Sequence, residues 1–258
     1  FMSGVNPFIS NFFVIFTLII AVPSAVKVFN WIATLYGGNL RFNSASLFSI
    51  GFVSMFISGG LTGIFLGNSA IDIQLHDTYF VVAHFHIVMG VAAFFGMFAG
   101  VYHWFPKMFG RMMNDNWGKL HFFLTFVLLN FVFFPMHILG VVGFPRRLAD
   151  AYHYETFHQL QPMNEFITWC AIGMVVSQVI FVWNFVYSMF LGKPVGRNPW
   201  GANSLEWMAP SPPGHGNFDF QPVVYRGPYE YGSPEVETDF YPQTQPPPEK
   251  PIEEDAPH

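Results

Sequence analysis

Charged side chains are scarce. Asp, Glu, Lys and Arg make up 10% of the 258 residues, against about 25% in an ordinary soluble domain. Cysteine is nearly absent: Cys170 stands alone in an apolar run. That excludes a disulfide framework within the chain, a cysteine zinc site and a cysteine-held iron–sulfur cluster. There is no basic stripe of the kind nucleic-acid binding needs, no Gly-rich phosphate loop and no internal repeat. No basic segment precedes the first apolar run, which is longer than the roughly 7–15-residue core of a signal peptide. It therefore reads as mature structure. What fills the space is apolar: 52% of residues are hydrophobic and 33 are Phe.

The little charge is unevenly spread. Residues 1–192 hold 7 basic and 6 acidic side chains, whereas residues 193–258 hold 4 basic and 10 acidic. The first part is a low-charge slab and the second an acidic extension. Of the 20 prolines, 14 lie beyond residue 192. Residues 193–241, with Trp200 and Trp207 as anchoring aromatics, read as a partly ordered extension. Residues 242–258, proline-rich and acidic, read as a tail without a packed core.

A membrane span needs about 20 mostly apolar residues. Five stretches qualify: about Phe8–Tyr36, Leu47–Ala70, Thr78–Phe105, Gly118–Gly143 and Met163–Gly192. Helices this long and apolar all round would have no solvated face in water. Trp31, Tyr36, Tyr79, Tyr102, Trp104 and Trp117 cluster near span ends, as in an interfacial belt. The fold class is an all-α membrane bundle of five helices. Arg41, the pair Lys107 and Arg111, and Lys193 with Arg197 put one set of loops and the C-terminus inside. Loop 71–77, with no Lys or Arg, lies outside. Arg146 and Arg147 break this count and call for another explanation.

His84 and His86 sit in an uncharged stretch of the third span. Ionisable groups inside a membrane are costly and usually functional. At about 100° per residue the two rings diverge by about 200°, so they cannot serve one cofactor from one helix face. They can each serve a different one. Neutral imidazole is a common metal ligand and the usual protein ligand of haem iron. Both lie about 9–12 Å below the outer end of the span if Thr78 opens it.

These residues belong to a longer pattern. Ile71-Asp72-Ile73-Gln74-Leu75-His76-Asp77-Thr78-Tyr79-Phe80-Val81-Val82-Ala83-His84-Phe85-His86 resembles the signature of subunit I of the haem–copper oxidases, in the cytochrome c oxidase branch. The resemblance continues through Val22–Trp31, Gly59-Gly60-Leu61-Thr62-Gly63, His103-Trp104-Phe105-Pro106, Phe134-Pro135-Met136-His137, Pro145-Arg146-Arg147 and Leu205-Glu206-Trp207. The five spans then look like the last five of that family's twelve. The resemblance implies that His84 is the axial ligand of a high-spin haem and His86 one of two ligands of a low-spin haem. It implies a-type haems, and magnesium at His76 and Asp77 at a subunit interface. It sets Asp72, Arg146 and Arg147 near haem propionates, which would explain the misplaced arginines. Lys27 becomes the lysine of a proton path, with Ser24 one turn away as a relay hydroxyl. On spacing alone Lys27, about 28 Å along the first span, could equally snorkel to the inner interface. A bare His76-Asp77 could be a loop hydrogen bond, and Arg146 and Arg147 could be solvated.

The match also departs from the family. Copper there is held by an adjacent His-His pair and a His-x-x-x-Tyr, and neither occurs in this sequence. The second ligand of the low-spin haem comes from an early helix that is missing too. The chain would carry one wall of the oxygen-reducing site, either in a split subunit or as a partial sequence. Expected partners are the N-terminal half of subunit I, subunit II with its copper centre, subunit III, cytochrome c and membrane lipid, with no nucleic acid. The expected setting is a bacterial inner or mitochondrial inner membrane, with electron transport to oxygen coupled to proton transport. Quinol-oxidising members usually read His-Asn-Ser where this chain has His76-Asp77-Thr78, which favours cytochrome c. The alternatives are a quinol oxidase subunit, a non-catalytic dihaem electron carrier, or a transporter or assembly partner without a cofactor.

Overall fold

The computed structural model describes residues 1, 4–227, 230 and 236–248. Two compact units emerge, Phe1–His103 with Asn114–Phe185, and Trp104–Met113 with Val186–His258. The helices that build the spans are α1 (Pro7–Ile19), α2 (Ala21–Leu35), α3 (Ser44–Gly67), α5 (Tyr79–Phe85), α6 (Ala92–Phe109), α7 (Asp115–Val141) and α9 (Gln161–Leu191). Short helices α4 (Ser69–Leu75) and α8 (Glu155–His158) lie in the connections. Among the described residues five helical stretches are long and apolar enough to cross a membrane: Pro7–Leu35, Ser44–Gly67, Tyr79–Phe109, Asp115–Val141 and Gln161–Leu191. These are the five expected spans, with ends shifted by a few residues.

Two spans differ from simple α-helices. The first breaks at Ile20 into α1 and α2. Pro23 has no N–H to bond the Ile19 carbonyl, so the ladder is interrupted there. The third passes through a π-helical turn at His86–Val91, between α5 and α6. Such wide turns are rare and occur mostly as single turns within α-helices, often at functional sites. A uniform step of 100° per residue therefore does not run through the whole span.

In the first unit the core is aromatic. Phe48 is fully buried, with the rings of Phe95, Phe98, Tyr102, His121 and Phe122 centred 5.0–5.7 Å from its own. Next to it, polar side chains join three spans. The Tyr102 hydroxyl lies 3.3 Å from His121 Nδ1, and His121 Nε2 lies 3.0 Å from Gln178 Oε1. The Gln178 amide donates to Thr125 Oγ1 at 3.1 Å. In lipid, where no water can satisfy such groups, each bond of this kind contributes about 0.6–2 kcal/mol to helix association.

The two ends of the bundle are tied by loop contacts. At one end Ser44 N donates to Asp115 Oδ1 at 2.7 Å, and Lys119 pairs with Asp115 at 2.8 Å. At the other, Tyr79 N donates to the Phe144 carbonyl at 3.0 Å, and Thr78 bridges Pro145. The segment carrying Arg146 and Arg147 thus lies at the same end as His76 and Asp77.

The second unit is an extension with little regular structure. Two short strands, β1 (Arg111–Met112) and β2 (Lys193–Pro194), pair antiparallel. Lys107 Nζ donates to the carbonyls of Ala209 at 2.7 Å and Arg197 at 3.0 Å, and lies over buried Trp207. Residues 242–248 belong to the stretch expected to be a tail without a packed core. Gln243 is 5% exposed, its N–H donates to the Asn203 carbonyl, and its own carbonyl accepts from Tyr225 N. Tyr241 is buried beside it. Backbone pairing holds this stretch where composition alone offers no apolar periodicity. Residues 249–258, the rest of the expected tail, lie outside the described residues.

Candidate functional site

The site is built around His84 and His86. Thr78 opens α5, its hydroxyl accepting from Phe80 N at 3.3 Å. That cap starts the short helix that carries His84, and His86 opens the π-helical turn that follows it. His84 turns toward α3: its Nδ1 is 2.8 Å from the Gly59 carbonyl and 3.0 Å from Thr62 Oγ1. His86 turns toward α7: its ring stacks on Phe133 at 5.4 Å and 18°. Its Nδ1 is 2.8 Å from the Val82 carbonyl. The two rings face different neighbours, as their spacing predicts.

Those carbonyls decide the tautomers. A carbonyl can only accept, so Nδ1 of each imidazole carries the proton and Nε2 keeps its lone pair. Among the described residues neither Nε2 has a hydrogen-bond partner. This is the arrangement a metal-ligating histidine adopts, with the remote nitrogen held by a backbone acceptor. Gly63 makes room for it. A Cβ there would lie 2.7 Å from His84 Cε1 and 3.4 Å from Nε2. Gly59 likewise lets Ile87 and Val88 of the π-helical turn approach, where a Cβ would come within 2.8 Å of both. The donor set would fit two metal-bound imidazoles that face different neighbours from one span.

His137 repeats the pattern without the access. Its Nδ1 donates to the Phe133 carbonyl at 2.8 Å, and its Nε2 is buried without a partner among the described residues.

The loop residues meet one another at the end of the bundle. Arg146 Nε donates to Asp77 Oδ1 at 2.6 Å, and Arg146 N to the Asp77 carbonyl at 2.8 Å. Asp77 Oδ2 lies 3.4 Å from His76 Nε2. Asp72, buried, lies 3.9 Å from His76 Nδ1. So one guanidinium is taken up by a carboxylate of this chain. Arg147 is exposed, at φ +64°, and has no partner among the described residues. Among the described residues no three His, Cys, Asp or Glu side chains gather into a cation site. A hard cation takes six or more oxygens, so His76 and Asp77 alone do not make a magnesium site.

Lys27 and Ser24 lie apart from these groups, on α2. Lys27 is exposed, with Nζ 5.9 Å from the Trp31 ring centre, and Ser24 Oγ donates to the Ile20 carbonyl at 3.1 Å. Sequence reasoning assigned no role to Gly59, Thr62 or Gly63. Their four-residue spacing puts 59 and 63 on one helix face, a signal that small residues there admit a close neighbour.

Residues 1–176 match the family model described as Cytochrome C and Quinol oxidase polypeptide I. The chain is 48% identical over 263 residues to alternative cytochrome c oxidase subunit 1 of Bradyrhizobium diazoefficiens, covering 100% of this chain and 44% of that protein. It is 50% identical over 232 residues to cytochrome c oxidase subunit 1 of Thermostichus vulcanus, covering 90% of this chain and 41% of that protein. The chain therefore spans less than half the length of these curated relatives. Among solved structures, a chain of a heme–copper terminal oxidase dimer superposes with TM-score 0.63, over 74% of this chain and 38% of that one. At 18% identity that likeness speaks for the fold alone. By its family model and by these relatives, the chain belongs to the cytochrome c and quinol oxidase polypeptide I family.

Proposed function

We propose that this chain is the C-terminal part of subunit I of a respiratory cytochrome c oxidase, which reduces oxygen to water and translocates protons. In this reading it is an integral protein of an energy-transducing membrane with its C-terminus on the cytoplasmic or matrix side. The observation that carries the reading is the pair of imidazoles with protonated Nδ1 and bare Nε2, facing different neighbours from one span. His84 would hold the iron of the high-spin haem and His86 that of the low-spin haem, both a-type. Bound, the two haems supply electron transfer and the oxygen-reducing centre.

The remaining residues would work around that centre. Lys27 holds and passes a proton toward it, and Ser24 relays through its hydroxyl. Arg147, with no partner for its guanidinium among the described residues, pairs a propionate. Arg146 shares its charge between a propionate and Asp77, and Asp72 lies close by. Magnesium at His76 and Asp77 would need its other oxygen ligands from subunit II. Copper would be held outside this chain, by the N-terminal part of subunit I. Subunits II and III complete the complex, and cytochrome c supplies electrons.

The test is a pair of substitutions in the complete complex, read by visible spectra. His86→Ala should remove the low-spin haem signal. His84→Ala should disturb the high-spin, carbon-monoxide-binding haem. If both substitutions affect one and the same haem, the assignment fails.

A further inference from the structure

We propose that Thr62 is a positioning residue for His84, sharing the Nδ1 proton with Gly59 and so setting how strongly Nε2 donates to a bound metal. The inference rests on the reading of His84 as a haem ligand and adds a residue to it.

Three polar atoms close a triangle. Thr62 Oγ1 is 2.7 Å from the Gly59 carbonyl, His84 Nδ1 is 2.8 Å from the same carbonyl, and Thr62 Oγ1 is 3.0 Å from Nδ1. The proton count follows from the chemistry. The carbonyl has no proton to give, so both Nδ1 and the hydroxyl donate to it. The hydroxyl proton is thereby spent on Gly59, and only an oxygen lone pair is left to face Nδ1. Nδ1–H is therefore shared between two acceptors, the carbonyl and the hydroxyl.

Two consequences follow. The second acceptor restrains rotation of the ring about its Cβ–Cγ bond, which a single carbonyl does not. It also draws the Nδ1 proton outward and makes Nε2 more basic, as acceptors behind metal-bound histidines do. Thr62 touches neither iron nor oxygen in this arrangement. It acts only through the imidazole. The position is otherwise confined: a Cβ on the next residue, Gly63, would meet His84 Cε1 at 2.7 Å. The ring thus has no freedom to compensate by moving toward α3.

The experiment uses the assembled oxidase and the iron–histidine stretching band in the resonance Raman spectrum of the reduced high-spin haem. Thr62→Val keeps the shape and removes the hydroxyl. The band should move to lower wavenumber, and the midpoint potential of that haem should rise. Thr62→Ser keeps the hydroxyl and should restore both. Thr62→Ala is the second hydroxyl-free variant if Thr62→Val fails to assemble. An unmoved band in the hydroxyl-free variants overturns the proposal. So does a Thr62→Ser shift equal to theirs, which would trace the effect to packing of the methyl group. His84→Ala separates the two layers. If the band survives that change, the reading of His84 fails. If it vanishes while the Thr62 variants leave it unmoved, only the role of Thr62 fails.

Discussion

Gly63→Ala puts one methyl group against the imidazole that the site depends on. The new Cβ would lie 2.7 Å from His84 Cε1, whereas carbon atoms pack at about 3.5–4.0 Å. The ring must retreat by about 0.8 Å or more to reach that distance. Its Nδ1 is anchored at 2.8 Å to Gly59 and 3.0 Å to Thr62, so a retreat of that size breaks at least one of the two bonds. Overpacking costs about 1–3 kcal/mol and a lost hydrogen bond about 1 kcal/mol. The sum is about 2–4 kcal/mol. The displacement also exceeds the roughly 0.5 Å tolerance of a preorganised site. Gly60→Ala is the matched control: it lies in the same helix, and among the described residues its Cβ would meet nothing within 4 Å. Alanine there should be neutral or better, since glycine in a helix interior costs about 0.5–1 kcal/mol. The assay is haem content, the carbon-monoxide difference spectrum and the thermal midpoint of the assembled complex. Gly63→Ala should lower all three, and Gly60→Ala none. A Gly63→Ala complex with wild-type spectrum and midpoint would refute the argument from close approach.

Three further outcomes can be checked. Lys27→Met should leave both haem spectra intact and slow oxygen uptake by about 10²-fold or more, the usual worth of a positioned proton donor; unchanged uptake would show that Lys27 only rests on Trp31. In the extension, the Arg197 guanidinium donates to Asp219, at 2.9 Å for Nη1, and holds its carboxyl below the ordinary value of 3.8. Because the folded carboxyl is the stronger acid, its contribution is present above the unfolded value and lost as pH falls through the lower, folded one. Protease resistance of the extension should therefore fall on acidification below about pH 4 in the wild type, with Asp219→Asn already weaker at neutral pH and flatter across that range. Removing residues 249–258 should leave haem content and activity unchanged, whereas truncation before Tyr241 should open the extension to proteolysis, because Asn203 and Tyr225 lose their backbone partner.

Much of the fold was legible in the sequence because lipid imposes a simple rule. A span must satisfy its own backbone and be apolar for about 20 residues, so composition alone marks five helices. Their interruptions were less legible. Pro23 marks the first break locally, but Pro135 lies within the continuous α7, so a proline alone does not tell where a span is interrupted. The π-helical turn at His86–Val91 has no such local mark. It sits where Ile87 and Val88 close on Gly59, a contact between residues far apart in the chain. The anchored Gln243 was hidden for the same reason, since its partners are backbone groups of Asn203 and Tyr225.

The site divides in the same way. The sequence by itself determined the donor types and their divergence: two imidazoles, two residues apart, cannot leave a helix on one side. It also determined that copper ligands of the family pattern are not in this chain. Only the tertiary structure decided which nitrogen of each ring is free, because that depends on the carbonyls of Gly59 and Val82. It decided that Arg146 is taken up by Asp77 while Arg147 is not. It also joined Thr62 to His84 across two helices. Periodicity along one chain sets the direction in which a side chain leaves its helix, but a hydrogen bond needs an acceptor within about 3 Å, and that acceptor is supplied by whichever helix packs alongside.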